Sequence, residues 1–129
     1  MEPTILIVED TEDTREVVRR TLELNGFRVL EARNGLEAVE VAIRELPDLI
    51  LMDMSLPVMD GCQATRVIRA RPELASVPII ACTAHNQWEW RSKGILAGCT
   101  GFMMKPLDAD GLVNMISRYL LRMPASKPD

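Results

Sequence analysis

Residue types that handle phosphate and hard cations recur at the ends of this chain's short apolar runs. Asp53 follows the run at 49–52, Glu9 and Asp10 follow 4–8, Thr83 follows 77–82, and Lys105 follows 101–104. Gathered at one edge, such acids repel. Two carboxylates about 4 Å apart cost roughly 4 kcal/mol at an effective dielectric near 20. One lysine offsets only part of the charge of three acids, so the set asks for a divalent cation. Ligands that are all oxygen favour Mg²⁺ or Mn²⁺ over Zn²⁺, and Mg²⁺ keeps positions for water and phosphate. The chemistry implied is metal-assisted phosphoryl transfer, with a carboxylate, a hydroxyl and an ammonium in attendance.

These residues meet only if the runs are parallel strands of one sheet, because βα loops collect beyond the carboxyl ends of such strands. The patterning supports this. Runs at 4–8, 27–32, 49–52, 77–82 and 101–104 are short and apolar, as in strands covered on both faces. Between them lie helical stripes. Val18 and Leu22 recur at four, with Val17 and Thr21 beside them, before the Asn25-Gly26 stop. Ala38, Val39, Ala42 and Ile43 share a second face, and residues 62–70 form a short third helix. A weaker helix is expected over 87–97. Asp108 is placed to cap a last one carrying Leu112, Ile116 and Leu120. Five strands alternating with five helices predict an α/β sheet with helices on both faces.

The 129 residues fit one domain, expected over 1–123, with a short flexible tail at 124–129. Hydrophobic residues make up 47% and charged residues 26%, the balance of a globular chain. Net charge is −4, and 12 arginines and 3 lysines are scattered, which argues against direct nucleic-acid binding. No signal peptide is expected, because acids stand near the start where a basic region and a long apolar stretch would be needed, and no apolar run reaches membrane-spanning length. Cys62, Cys82 and Cys99 are odd in number and lack metal-ligand spacing. A cytoplasmic protein with small buried thiols is expected. Met52, Met54, Met103 and Met104 read as adaptable core packing.

Four segments in order, "VED", "LILMDMSLPVMDG", "PIIACTAH" and "GFMMKP", resemble the receiver domains of two-component response regulators. The likeness runs from Ile5 to about Leu121. It implies a doubly wound, flavodoxin-like sheet of strand order 2-1-3-4-5. It also implies that Asp53 is the phosphoacceptor. Asp10, Asp53 and the backbone carbonyl of Ser55 would ligate Mg²⁺, with Glu9 acting mainly through metal-bound water. Thr83, Lys105 and the backbone N–H of Ala84 would contact phosphoryl oxygens. Thr83 and Phe102 would carry the switch, and Pro106 would follow Lys105 through a cis peptide. The partners implied are a histidine kinase or histidine phosphotransfer domain and a downstream protein, and a homodimer through the face of the fourth helix, fifth strand and fifth helix. Such a domain accepts phosphate and loses it slowly; it does not turn over a metabolite. A stand-alone receiver is expected.

Taken singly, each residue has an ordinary use: Glu9 and Asp10 as helix-start acids, Asp53 or Asp60-Gly61 in a turn, Phe102 in the core, His85 in a polar loop. Four strand ends in register are harder to explain that way. A small Mg²⁺-dependent phosphatase of the haloacid-dehalogenase kind would want a second acid two residues after Asp53, where Ser55 stands. A flavodoxin-like cofactor binder would want a phosphate loop after the first strand, where Glu9 and Asp10 repel anions. A non-phosphorylated scaffold would not need the full acidic set. Trp88 and Trp90, two of five aromatics, open the fourth helix as candidate partner anchors.

Overall fold

The computed structural model describes residues 2–84 and 88–121, apart from the side chains of 88–90. Five strands, β1 (Thr4–Val8), β2 (Arg28–Ala32), β3 (Leu49–Asp53), β4 (Ile79–Thr83) and β5 (Gly101–Met104), alternate with five helices. These are α1 (Glu12–Leu24), α2 (Gly35–Glu45), α3 (Gly61–Arg69), α4 (Trp88–Ala97) and α5 (Ala109–Leu121). All strand pairs are parallel, in the order β2-β1-β3-β4-β5. The doubly wound sheet expected from the sequence is therefore present.

Two apolar layers cover the sheet. Leu6, Val8, Ile50, Met52, Ile79 and Ala81 pack under α2, α3 and the end of α4. Ile5, Ile7, Leu49, Leu51, Ile80 and Cys82 pack under α1 and α5, against Val18, Leu22, Leu112 and Ile116. Alternate residues of each central strand thus serve opposite faces, which is why those strands read as unbroken apolar runs. Every residue of β3 and β4 is buried. A carboxylate on the last residue of β3 consequently rests on a rigid post.

Local chemistry sets the element boundaries. Phe27 spends its N–H on the Leu22 carbonyl, and Gly26 at φ 86° spends its own on Glu23, so β2 begins one residue later than expected. Pro78 accepts from the Ile50 N–H but has none to donate, so the β4 ladder starts at Ile79, and it runs on to Thr83. A 3₁₀ turn, Pro72–Leu74, had no periodic signal. Asp60, expected in a turn, is the N-cap of α3 in a reciprocal box with Gln63.

The Arg69 guanidinium staples three segments, donating to the Leu74 and Gly98 carbonyls and to Thr100 Oγ1 at 3.0, 2.9 and 3.1 Å. Two apolar residues sit less deeply than expected. Val17 is 64% and Met104 51% exposed, the latter because β5 is an edge strand. Cys62 and Cys82 are buried, whereas Cys99 is partly exposed. No helix among the described residues is long and apolar enough to cross a membrane. His85 and the expected tail at 124–129 lie outside the described residues, as do the side chains of Trp88 and Trp90.

Candidate phosphoacceptor and metal site

Glu9 and Asp10 follow β1, Asp53 ends β3, Thr83 ends β4, and Lys105 follows β5. The parallel register brings these ends to one edge. Lys105 Nζ donates to Glu9 Oε1 at 2.6 Å and to Asp53 Oδ2 at 3.0 Å. Its own backbone N–H bonds the Thr83 carbonyl at 2.8 Å, which fixes where the side chain starts. Asp53 Oδ1 accepts from the Ser55 N–H at 3.0 Å. Glu9 Oε2 accepts from the Thr11 N–H at 3.1 Å. Glu9 and Asp53 are each only 4% exposed, while Asp10 is open to solvent.

Carboxylate oxygens of Glu9, Asp10 and Asp53 lie within 4.8 Å of one another. Three acids against one ammonium leave an excess of two negative charges, and every donor is oxygen. The residues therefore fit a hard divalent ion such as Mg²⁺.

Burial, only partly offset by the Ser55 N–H and Lys105, pushes Asp53 from its usual 3.8 up to about 6. Burial also works to raise Glu9, but the bonds from Lys105 and Thr11 outweigh it and hold that carboxyl below its usual value. Asp10 is raised by partial burial and by the neighbouring Glu9. For Lys105 burial opposes the charge, and the two carboxylate partners overcome it, so the ammonium persists above the ordinary lysine range.

The loop from Asp53 to α3 is tightly built. Met59 N–H reaches the Pro57 carbonyl at 2.7 Å, with Val58 at φ 67° between them, a strained place for a β-branched residue. Gly61 lies so close that any side chain there would collide with the Asp53 carbonyl oxygen. The Lys105–Pro106 peptide is cis. Beside Lys105 a recess of about 530 Å³ opens between α1 and the loops after β4 and β5, with Val17, Ala84, Pro106 and Leu107 among its walls.

Phe102 sits half-buried against the α2–α3–α4 layer, with the Arg91 guanidinium 5.5 Å from the ring centre. Gly94 of α4 makes room for this placement. A Cβ there would stand 2.7 and 2.9 Å from Phe102 Cε1 and Cζ. Gly94→Ala is expected to turn the ring out of its slot, with little net loss of stability because alanine favours the helix by about 1 kcal/mol. Nuclear Overhauser contacts between the Phe102 ring and α4 read this directly. Their retention would mean that α4 shifts instead.

The sequence reading missed Arg15, whose guanidinium Nη1 donates to the Glu9 carbonyl at 2.9 Å. A polar position near the start of α1 carried no signal for it.

Residues 5–117 match the response regulator receiver domain family. Among curated proteins, the polar-differentiation response regulator DivK of Brucella anthropi is 34% identical over 120 residues, which cover 93% of this chain and 98% of DivK. Among solved structures, the receiver domain of the sensor histidine kinase PA1611 from Pseudomonas aeruginosa, with magnesium coordinated in its active-site cleft, aligns at TM-score 0.87 and 38% identity. That alignment covers 93% of this chain and 98% of the other. The chemotaxis protein CheY4 of Vibrio cholerae aligns at TM-score 0.88 and 29% identity, over 92% of this chain and 98% of its own.

Proposed function

The chain belongs to the response regulator receiver family, and from that membership we propose that it is a phosphoacceptor switch in which Asp53 receives the phosphoryl group. The observation that carries this reading is the bridge from Lys105 to Glu9 and Asp53 beside the open carboxylate of Asp10. The Asp53 carboxylate, ionised above about pH 6, forms the new O–P bond as the donor's bond to phosphorus breaks. Lys105 and the Thr83 hydroxyl stabilise phosphoryl oxygens, helped by the Ala84 N–H. Asp10, Asp53 and the Ser55 carbonyl would hold Mg²⁺, with Glu9 contributing its charge beside them. When bound, Mg²⁺ supplies charge neutralisation for the acids and the phosphoryl oxygens.

The donor is a histidine kinase or histidine phosphotransfer domain, and the recess beside Lys105, with Val17, Pro106 and Leu107 in its walls, has room for apolar side chains of such a partner. Thr83 and Phe102 then report the change to α4, β5 and α5, where a downstream protein or a second copy binds. The exposed apolar Ile95, Leu96 and Met104 of α4 and β5 support that use. Shifting such a switch from 1% to 99% active needs about 5.5 kcal/mol of preference for the active state. We place the receiver in residues 1–123, and it is a substrate of phosphotransfer rather than a turnover enzyme.

Incubation with acetyl phosphate, with and without Mg²⁺, and intact-mass measurement test this. One phosphoryl group is expected with Mg²⁺, and none in Asp53→Asn. An unmodified, folded, Mg²⁺-binding wild type would favour the scaffold reading.

A further inference from the structure

Building on the reading of Asp10 and Asp53 as metal ligands, we propose that Arg15 is a positioning residue for the metal site, acting through the Glu9–Asp10 peptide. Asp10 carries an exposed carboxylate, so its aim depends chiefly on the backbone from which it hangs. That backbone has just left β1 and has not yet entered α1. Glu9 N–H is tied to the Ala32 carbonyl at 3.0 Å, the last strand-like bond on that side. The Glu9 carbonyl, which shares a rigid peptide plane with the Asp10 nitrogen, accepts Arg15 Nη1 at 2.9 Å. Fixing that oxygen therefore fixes the plane from which Asp10 departs.

Arg15 is itself held. Its side chain is only 11% exposed, and its Nε bonds Glu31 Oε1 of β2 at 3.2 Å. Its backbone N–H bonds the Thr11 carbonyl at 3.0 Å, so the guanidinium reaches back from the first turn of α1 to the strand end. One planar group thus joins β1, β2 and α1 at the point where Asp10 is aimed. Groups that orient metal ligands from behind commonly change affinity 10- to 100-fold when removed.

The sign of the effect separates positioning from charge. Arg15 is a cation near an acidic site, so as a charge alone it opposes Mg²⁺, and its loss would tighten binding. As a positioning residue its loss weakens binding. Calorimetric titration of Mg²⁺ into wild type, Arg15→Met and Arg15→Lys, with melting curves in parallel, makes the test. Arg15→Met is expected to raise Kd about tenfold. Arg15→Lys, which keeps a donor for the Glu9 carbonyl, is expected to recover part of that loss. Equal or tighter binding by a folded Arg15→Met overturns the proposal, whatever happens to its Tm. Should Arg15→Met not hold its fold, Arg15→Gln replaces it: this removes the charge and the reach to the Glu9 carbonyl but keeps a polar side chain beside Glu31. A weaker Kd is then expected, and an unchanged one overturns the proposal. A wild type that binds no Mg²⁺ refutes the metal reading itself, a separate and visible failure.

Discussion

Lys105→Met is expected to slow phosphoryl acceptance from acetyl phosphate about 100-fold at saturating Mg²⁺, the usual cost of removing one preorganised charge from a phosphoryl or oxyanion site. The ammonium lies 3.0 Å from one oxygen of Asp53 and is therefore within reach of a phosphoryl group attached there. It stays charged across the working pH range because its two carboxylate partners more than offset its burial. Methionine keeps the apolar stem and removes only the charge. Mg²⁺ affinity is not expected to fall, since Lys105 competes for the carboxylates of Glu9 and Asp53. Initial rates from intact mass against time, paired with Mg²⁺ titration, separate the two effects. A rate within threefold of wild type would show that the ammonium only balances charge in the resting protein.

Asp53→Asn is expected to make the metal-free protein more stable at neutral pH, by about 3 kcal/mol if the whole shift from 3.8 to about 6 is expressed. The sign follows from proton binding. A carboxyl whose value is raised by folding holds more protons folded than unfolded. Its penalty is absent below about pH 4, grows through pH 6 and is complete above it. Asparagine has no such penalty, so the difference in Tm between variant and wild type should be roughly 10 °C at pH 7.5 for a domain of this size. It should shrink towards zero by pH 4. Glu9, held below its usual value, contributes the opposite trend in both proteins, somewhat more strongly in the variant, where it no longer faces the Asp53 charge. Mg²⁺ at about 1,000 times its Kd should reverse the order, because it then adds about 4.1 kcal/mol to the protein that binds it. A variant that melts below the metal-free wild type at pH 7.5 would mean that the carboxylate's bonds to Lys105 and Ser55 outweigh its burial.

The fold and the acidic set were legible because both depend on local pattern. Apolar runs of about five residues alternate with helical stripes, and parallel topology then gathers whatever ends each run, which is how Asp53 and Lys105, far apart in the chain, meet. Boundaries were less legible where a single backbone group decides them. Phe27 looks like a strand residue until its N–H is seen to serve the end of α1, and Val77 looks like one until Pro78 is seen to break the ladder. Arg15 and Gly94 were not legible at all. Their importance lies in contacts that only the folded chain creates, with the Glu9 carbonyl in one case and the Phe102 ring in the other. Met104 misled for a related reason: an apolar residue on β5 is half covered, because that strand has a neighbour on one side only.

The measurement that bears most directly on the switch is the location of the phosphoryl group. After treatment with acetyl phosphate and Mg²⁺, borohydride reduction converts an acyl-phosphorylated aspartate to homoserine, which survives digestion and is placed by peptide mass spectrometry. Homoserine is expected at residue 53 alone, and only when Mg²⁺ was present. Homoserine at residue 10, or at neither position in a protein that binds Mg²⁺, would contradict the assignment of Asp53 as the phosphoacceptor.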